Sequence, residues 1–496
     1  MHKVLLLLLA FLFSGKSEAQ DPVFSWSSAN TKPAMQIDVQ LLGFTGDGYY
    51  VVNKKPASGM EFSPTITVEY FNSKQERVFV KNVTPAKQED YVNVVYFNQS
   101  LYLISALFTK DAGKNVLSAT AVNKDGTLGK PVEIGSMNAE KLSGRGLFNV
   151  AVSADGNKLL VLSQPNYTKD ENEKITLTLY TGAFSKQWSS VQTFPYEWTK
   201  AVENTPFVNN QGTAFILKKT DMKGSDNTYS IFSFEGKELK EYKIAMDGKK
   251  KVATIVQAFA PNGDCTVGGY YTEDSKVKVS MGTALHGMFL HRITHTGASA
   301  TIAVVTPFEK RKDIIAKDIL FYQNNSILLG ERYIVSSQAP QRDPLKPMTN
   351  ENMFARDYSY YGMDIIMDGF DETGKVLYSS KIDKDNTSRN DNGTWVSYFA
   401  AVINGKIYII FNDDKYKYDD KKRIFIAGSP KIVVYATVDP TTGVATETKA
   451  LLNTAPIGGK TGDMLLRPDV FLKQDESHYI IRAENPSIYR MGLVGF

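Results

Sequence analysis

The sequence predicts an all-β protein, a single β-propeller of eight four-stranded blades whose N- and C-terminal strands pair to close the ring. Three observations favour this fold class: a hairpin phrase recurs along the chain, helical periodicity is almost absent, and strand-sized segments alternate with Gly, Asn, Asp and Pro turns. A lone four-stranded sheet cannot bury both faces, whereas sheets stacked in a ring can. The recurrence therefore indicates an architecture before it indicates any chemistry.

The first twenty residues, MHKVLLLLLAFLFSGKSEAQ, have the three parts of a secretory signal peptide. Lys3 supplies the positive charge, residues 4–13 form an apolar core, and Ser17-Glu18-Ala19 is a small-x-small cleavage site. The apolar run is shorter than the about 20 residues that a bilayer span needs, which argues against a retained anchor. We therefore expect a signal peptide over 1–19 and an exported, soluble chain in the periplasm or outside the cell.

Eight copies of one hairpin phrase follow the signal peptide. Each copy is an apolar run, a short polar turn and a second apolar run, as in VAVSADGNKLLVLS. Such a phrase is typical of two antiparallel strands joined by a tight turn. The copies cover residues 41–54, 94–107, 150–163, 206–219, 258–271, 320–333, 401–414 and 470–483.

A second hairpin follows each of the first seven copies, which makes seven four-stranded units, but the eighth copy ends one strand short. The segment DPVFSWSSA (21–29) is a spare strand ahead of the first unit and can complete the eighth. This pairing would close the ring, so we predict one propeller domain over 20–496. Seven blades is the runner-up, should the terminal copies merge. Two separate β domains are less favoured because no Pro/Ser-rich linker divides the chain.

The sixth repeat contains a long insertion, SSQAPQRDPLKPMTNENMFARDYSYYG (336–362), between its second and third strands. A connection longer than about 15 residues in a compact domain is usually functional or disordered, and the sequence leaves both readings open. In either case we expect it to project from one face of the disc.

Cysteine usage and charge exclude several classes of protein. The single Cys265 allows no internal disulfide, and its place in a predicted strand indicates a buried structural thiol. The 57 Lys and Arg residues are interspersed with 53 Asp and Glu residues, without the basic stripe that nucleic-acid binding needs. We expect a monomer that binds no nucleic acid.

Metal and cofactor motifs are weak. His291 and His295 share strand parity and could ligate zinc, yet no nearby acidic residue completes a set. The oxygen-rich segment KIDKDNTSRNDNG (381–393) lacks EF-hand spacing and is predicted to connect two blades, with a calcium site left open. Serine-hydrolase, zincin and P-loop motifs are absent from the sequence. We predict no metal site, no catalytic residue and no cofactor.

The first strand of each repeat is expected to line the central channel, where propeller ligands commonly bind. Polar side chains within these otherwise apolar strands are the candidate ligand-binding residues. They also fit a simpler role, solvating a tunnel or pairing with one another, as Arg467 could with Asp318. The candidates are Asp38, Asn93, Asn149, Glu203, Asn204, Gln257, Lys317, Asp318, Arg467 and Asp469.

The second hairpins, such as IIMDGFDETGKVLYSSKI and YSIFSFEGKELKEYKI, resemble those of secreted bacterial propeller repeats of the quinoprotein-like and WD40-like kind. The overall pattern is similar to uncharacterised exported proteins of Bacteroidetes-type bacteria. This resemblance implies fold and compartment only. Two functions stay open: a binding or assembly module that holds an envelope protein or glycan on one face, which we prefer, and an enzyme acting on polysaccharide or the envelope through carboxylates at the channel mouth.

Overall fold

The computed structural model describes residues 21–32, 38–57, 64–86, 88–199, 203–220, 228–244, 246, 248–274, 283–295, 302–338, 357–418, 431–451 and 464–496. The predicted signal peptide, residues 1–19, lies outside the described residues. Within the described ranges, no helix is both long and apolar enough to cross a membrane.

Eight antiparallel sheets form the four-stranded blades of a propeller, as the recurring hairpins predict. Two short strands come first, β1 (Val23–Trp26) and β2 (Asn30–Thr31). Blade 1 contains β3 (Asp38–Thr45), β4 (Gly48–Lys55), β5 (Thr65–Asn72) and β6 (Arg77–Asn82). Blade 2 contains β7 (Glu89–Phe97), β8 (Ser100–Thr109), β9 (Lys114–Val122) and β10 (Leu128–Asn138). Blade 3 contains β11 (Leu147–Val152), β12 (Lys158–Gln164), β13 (Asn172–Thr181) and β14 (Ser185–Glu197).

The remaining blades repeat this order. Blade 4 contains β15 (Asn204–Val208), β16 (Ala214–Lys219), β17 (Tyr229–Phe234) and β18 (Leu239–Lys243). Blade 5 contains β19 (Lys251–Phe259), β20 (Cys265–Thr272), β21 (Ala284–Ile293) and β22 (Ile302–Lys312). Blade 6 contains β23 (Ile314–Tyr322), β24 (Asn325–Gln338), β25 (Asp357–Phe370) and β26 (Val376–Arg389). Blade 7 contains β27 (Tyr398–Ile403), β28 (Lys406–Asp414), β29 (Lys431–Val438) and β30 (Ala445–Leu451). Two single-turn 3-10 helices occupy Leu142–Gly144 and Lys415–Lys417.

Blade 8 combines both ends of the described chain. Its inner three strands are β31 (Leu465–Lys473), β32 (His478–Glu484) and β33 (Ile488–Gly495), and β1 is its outer strand. The β1–β33 register runs from Val23 opposite Gly495 to Trp26 opposite Gly492. The two-residue strand β2 also pairs with β33 beside β1. The predicted closure of the ring by the spare N-terminal strand is therefore confirmed.

The core lies between the blades, because each sheet is apolar on both faces. Between blades 6 and 7, for example, Ile327, Ile365 and Ile407 are fully buried and belong to a single hydrophobic cluster. Burying each such side chain contributes about 1.5–3 kcal/mol relative to leaving it in water. Similar clusters join successive pairs around the ring, including the pair formed by blades 8 and 1.

The two faces of the disc carry different connections. We call the lower face the one with the turns that join first to second and third to fourth strands. The upper face carries the connections between second and third strands and those between successive blades. Each inner strand therefore starts at the upper face and ends at the lower one.

The insertion of the sixth repeat lies on the upper face, between β24 and β25 as predicted. Residues 336–338 and 357–362 continue the ladder of the two strands, with Gln338 opposite Asp357, and residues 339–356 lie outside the described residues. We call residues 333–338 and 357–363 the blade 6 extension. The prediction that 381–393 connects two blades is wrong for 381–389, which prolong β26 because they pair with β25 up to Ser359.

Candidate functional site

The channel is framed by the inner strands of the eight blades, and its upper mouth beside blades 6, 7 and 8 holds a connected set of charged side chains. We call this set the upper mouth cluster. It contains two predicted cations, one predicted carboxylate and several groups that the sequence did not single out. Its members are Lys317, Glu331, Lys384, Asp391, Arg467, Asp469 and Glu484.

Arg467 is the centre of the blade 8 part of the cluster. Its Nε and Nη2 donate to the two carboxylate oxygens of Asp469 at 2.9 and 2.7 Å, and its Nη1 donates to Glu484 Oε1 at 3.2 Å. The pairing of Arg467 with Asp318 is therefore wrong, because both acceptors of the guanidinium come from blade 8 itself. Bidentate pairs of this kind fix geometry more firmly than single contacts do.

Lys317 plays the matching part in blade 6. Its Nζ lies 3.3 Å from Glu331 Oε2 and 5.2 Å from the centre of the Tyr333 ring. The other Glu331 oxygen accepts from Lys384 Nζ at 2.5 Å, and both of these side chains are fully buried. Ser397 Oγ donates to Glu331 at 3.2 Å. One buried carboxylate thus joins blade 6 to the strand that follows it.

Both predicted cations sit in β-bulges at the same place in their blades. Lys317 is the extra residue between Ala316 and Asp318 opposite β24, and Arg467 opens a longer bulge opposite β32. The residue before each bulge, Ala316 or Leu466, lies opposite Gly330 or Ala483 of the second strand. The residue that follows on that second strand, Glu331 or Glu484, is the buried partner of the cation. A bulge re-aims the side chain it carries, and here it turns a cation towards the carboxylate behind it.

Asp391 lies in the connection between β26 and β27 and interacts with the blade 8 part of the cluster through the charge of Arg467. Its carboxylate accepts from Ser388 Oγ at 2.7 Å and from the Gly393 N–H at 2.9 Å. Burial raises the pKa of Asp391, although these hydrogen bonds and the Arg467 guanidinium act in the opposite direction. Sequence reasoning missed Asp391 because it lies in a connection and not on an inner strand.

Asp318 and Asn93 have the same local role in blades 6 and 2. Each follows a bulge residue on the inner strand and accepts from the N–H of the next residue, Ile319 at 2.7 Å and Val94 at 2.9 Å. The Asp318 side chain keeps contact with solvent but is surrounded by protein, as expected for a group lining a narrow channel. That burial raises the pKa of Asp318, against the effect of the Ile319 hydrogen bond.

Three further candidates at the upper ends of inner strands are paired with side chains of their own region. Asp38 lies 3.9 Å from Lys54, and Glu203 lies 3.5 Å from Lys219. Asn204 is buried and does not face the channel freely, because its amide donates to Glu173 at 2.6 Å and its oxygen accepts from Lys218 at 3.2 Å. These residues are not brought together with the upper mouth cluster by any described contact.

The last two candidates, Asn149 and Gln257, are partly buried on β11 and β19. They pair in register with Leu162 and Val267. At the opposite end of the channel, a cavity of about 480 Å³ opens among the inner strands of blades 8, 1, 2 and 3. Of the predicted residues only Asn93 lines it, so the candidates are divided between the two ends of the channel.

Buried charges at the ends of second and third strands are the main feature that the sequence reasoning missed. Glu484 accepts from Arg482 at 2.8 Å, Arg482 donates to Asn53 at 3.1 Å, and Asn53 donates to Glu69 at 2.7 Å. Although burial acts to raise it, Arg482, Arg467 and Lys32 together hold the pKa of Glu484 below its usual range. The signal was present: the apolar run of the repeat often ends on a polar residue, as in ILLGER and YIIRAE.

The predicted histidine pair and Cys265 lie in blade 5, away from the upper mouth cluster. His291 is buried, and burial lowers its pKa to about 4, while His295 Nδ1 lies 2.9 Å from Asp264. No group of three or more His, Cys, Asp or Glu side chains placed to hold a metal ion occurs in the part of the chain that the structure describes. Cys265 is a buried free thiol, as predicted, and burial raises its pKa.

Comparisons with known proteins assign no family to the chain. No family model and no curated protein matches the sequence. Similar solved structures include the WD40 domain of SCAP from fission yeast, with a TM-score of 0.36, 7% identity, and 96% and 98% of the two chains covered. The β-propeller domain of the Trilobed protease from Pyrococcus furiosus has a TM-score of 0.36, 8% identity, and 86% and 100% coverage. A protein of unknown function from Bacteroides caccae has a TM-score of 0.27, 12% identity, and 68% and 94% coverage. At these values the likenesses carry no argument about activity, and the propeller assignment rests on the strand pairing itself.

Proposed function

We propose that the protein is an exported binding module that holds an envelope protein or glycan on its upper face, at the channel mouth and the blade 6 extension. The observation that carries this proposal is the pairing of the charged groups at the mouth. Arg467 is held by Asp469 and Glu484, and Lys317 is held by Glu331. The exposed members, Lys317 at 30% and Asp469 at 45%, are held by buried partners. Exposed charges that are held in this way suit recognition, because they lose little side-chain freedom on binding.

The same pairing weighs against catalysis by carboxylates at the mouth. Glycoside hydrolysis by an acid and base pair needs two carboxyl groups about 5–9 Å apart with room for sugar or water between them. Among the predicted carboxylates, Asp469 is bonded to Arg467 and Glu203 lies beside Lys219. Each of these two carboxylates is therefore occupied by a cation. Asp318, which has no ion pair in the described chain and whose pKa burial raises, is the candidate carboxylate that remains for the enzyme alternative.

The blade 6 extension supplies the second support. Tyr358 is 41% exposed, and its ring lies stacked 6.5 Å from that of Tyr360. Tyr360 also donates to Asn392 at 3.2 Å, which ties the extension to the connection that carries Asp391. Tyrosines on a rigid strand surface are typical of binding interfaces because they give a large contact area at a small cost in entropy.

Export is part of the proposal, and it rests on the predicted signal peptide. The expected mature N-terminus is Gln20, one residue before the described chain begins. N-terminal sequencing of the protein recovered from a fractionated native host tests this directly. A cytoplasmic protein that still carries Lys3 would contradict it.

Cross-linking capture from the native cell envelope tests the binding function. We would compare the mature protein with a variant in which residues 339–356 are replaced by a short Gly-Ser turn, leaving the strands of the blade 6 extension intact. The matched control shortens residues 275–282, which make the corresponding connection in blade 5. The expected result is one stoichiometric partner that is lost with 339–356 and retained in the control.

Two results would contradict the proposal. Loss of the partner in both variants would show that the capture does not depend on the extension. Hydrolysis of purified envelope polysaccharide by the mature protein, abolished by Asp469→Asn, would favour the enzyme instead.

A further inference from the structure

A second cavity, of about 400 Å³, lies on the upper half of the disc between blades 5 and 6. Its wall combines the end of β22 with β23, β24, β25 and β26, and we call it the blade 5–6 cavity. Four basic side chains line it: Arg311, Lys312, Arg332 and Lys381. It is separate from the upper mouth cluster, because those four residues make no contact with Lys317 or Arg467 in any described hydrogen bond or ion pair.

The positive charge of the blade 5–6 cavity exceeds the negative charge beside it. Lys381 Nζ lies 3.5 Å from Asp364, and Arg311 Nη1 lies 3.7 Å from Asp368 behind the wall. Lys312 and Arg332 have no ion-pair or hydrogen-bond partner among the residues that the structure describes. Two cations are therefore left without compensation around one concave surface, which raises the local concentration of anions.

Arg311 forms the back of the cavity. Its Nη2 donates to Ser379 Oγ at 2.8 Å, and its guanidinium lies 4.4 Å from the centre of the Phe308 ring. Its buried Nη1 is turned towards Asp368 behind the wall, at 3.7 Å. Arg311 is therefore held in place by the protein, and the two cations that can meet a ligand are Lys312 and Arg332.

The rest of the wall fits a sugar better than a bare ion. The volume lies in the usual range of small-molecule sites, about 300–1,000 Å³, which is more than one oxyanion fills. Ile314 and Ile366 are mostly buried, at 4% and 7% exposed, but their edges line the cavity and offer apolar contact to the C–H face of a pyranose ring. Asp364 provides a carboxylate that can accept from sugar hydroxyl groups. Cations, an acceptor and an apolar floor together match an acidic monosaccharide unit.

We infer that the blade 5–6 cavity binds a carboxylated or sulfated sugar unit of an anionic polysaccharide. Lys312 and Arg332 face its oxyanion, and the neutral part of the ring contacts the exposed edges of the two isoleucines. This inference deepens the proposed function, on which it rests, by naming the ligand chemistry of one site on the upper face.

Titration calorimetry on the full mature chain tests the inference with three probes: hyaluronate oligosaccharides, chondroitin sulfate oligosaccharides and uncharged dextran oligosaccharides. Binding of at least one anionic probe, weakened by salt, and none of dextran is expected. Lys312→Ala and Arg332→Ala should each lower the affinity about tenfold, as loss of a charge-assisted hydrogen bond does. Lys110→Ala is the matched control, because this exposed lysine lies on the upper face of blade 2 and has no ion-pair partner in the described chain.

Four binding results would overturn the inference: no binding of either anionic probe, equal binding of dextran, equal competition by inorganic sulfate, or equal binding of poly-L-glutamate. The last two would indicate a simple anion site and an acidic-peptide site, respectively. Unchanged affinity in both cavity variants would also overturn it. If no anionic sugar binds but a partner is lost with residues 339–356, the inference fails and the proposed function stands. If sugar binding is lost in the cavity variants but no partner depends on 339–356, the site stands and the role of the extension fails.

Discussion

The two faces of the propeller are built on different physical principles. On the lower face, short turns are held by their own side chains: Asp371 accepts from the Thr373 N–H at 2.9 Å and its hydroxyl at 2.6 Å, and Asp439 does the same with Thr441 at 2.7 and 2.5 Å. On the upper face, the buried carboxylates at the mouth are held by side chains from other strands, and in some cases from segments distant in sequence. Glu484, for example, contacts Lys32, which is 452 residues away.

This difference shows why the upper face is the better place for a site. A local turn repeats in several blades, so it carries little information about a ligand. Some of these turns also contact the next blade, as Asn209 Nδ2 does by donating to the Gly263 carbonyl oxygen at 3.0 Å. A network that joins several strands fixes side chains that have few other ways to pack. The lower face is therefore expected to tolerate substitution, whereas the upper face is expected to lose stability and binding together.

The largest effect is expected from Glu484→Gln. This change leaves Arg467, Arg482 and Lys32 around a neutral amide, and breaking a buried ion pair costs about 3–5 kcal/mol. Denaturant unfolding measures the change in the free energy of unfolding. Glu476→Gln is the control in the same blade, because Glu476 is 93% exposed on the lower face, and its effect should stay within about 0.5 kcal/mol. Equal effects of the two substitutions would contradict the contrast between the faces.

A second experiment separates the two lysines that hold Glu331. Lys384→Met should lower the free energy of unfolding by about 3 kcal/mol, because Lys384 is fully buried and no water replaces its ammonium group beside the Glu331 carboxylate. Lys317→Met should cost about 1 kcal/mol or less, since Lys317 is 30% exposed and Lys384 still pairs with Glu331. A larger loss for Lys317→Met than for Lys384→Met, measured by the same unfolding assay, would show that the bulge cation and not the buried one holds the cluster.

The lower face is tested by Gly156→Ala. Gly156 has a φ of +72°, and the nearest atom to an added Cβ is the Tyr96 carbonyl oxygen at 3.8 Å, so the cost is conformational and not steric. We expect a loss of about 1 kcal/mol. Gly156→Asn should lose less, because Asn adopts this backbone region more readily. An alanine variant as unstable as Glu484→Gln would mean that the lower turns carry as much of the fold as the upper network.

The smallest predicted effect concerns acid pH. Lowering the pH should change the stability contributions of Asp439 on the lower face and Asp391 on the upper face in opposite directions. The Thr441 hydroxyl bond, acting against slight burial, lowers the pKa of Asp439, so its contribution to stability is present above about pH 4 and lost as pH falls. Burial raises the pKa of Asp391, so its contribution is complete below about pH 4 and lost as pH rises through its folded value.

Unfolding of the wild type, Asp439→Asn and Asp391→Asn from pH 3 to pH 6 checks these signs. With falling pH, the wild type should lose stability relative to Asp439→Asn and gain it relative to Asp391→Asn. If the stability of the two variants, each relative to the wild type, changed with pH in the same direction, this difference between the faces would be contradicted.

Much of the architecture could be predicted from the sequence, because propeller blades are repeats and repetition is visible without coordinates. The hairpin phrase gave the number of blades, and DPVFSWSSA gave the outer strand of blade 8. What the phrase could not show is the bulge at Lys317, since no Gly or Pro marks that strand as irregular. At Arg467 the signal was present but not used, because Pro468 lies inside the bulge. Bulges arise here from how the inner strand meets its neighbour, which is a property of the assembled blade.

The candidate site was predicted only in outline for the same reason. Strand position placed Lys317, Asp318, Arg467 and Asp469 on the inner strands of blades 6 and 8. Their partners Glu331 and Glu484 lie on second strands, where a charge next to an apolar run looks like the exposed end of a hairpin. Those carboxylates are buried because the neighbouring blade packs over them. The pattern of apolar residues along one strand does not show which blade packs on it.

Closure of the ring by β1 has a consequence for how fast the molecule can form. The Met491 N–H donates to Ser27 Oγ across 464 residues of chain, a separation close to the whole length of the protein. Contacts so distant in sequence form slowly, because the entropy of closing the loop is lost before any contact compensates for it. Blades 1 to 7 can each fold from neighbouring segments, whereas blade 8 must wait for both ends. Until then the open ring presents two apolar sheet faces, and the last step of folding is the one most exposed to aggregation.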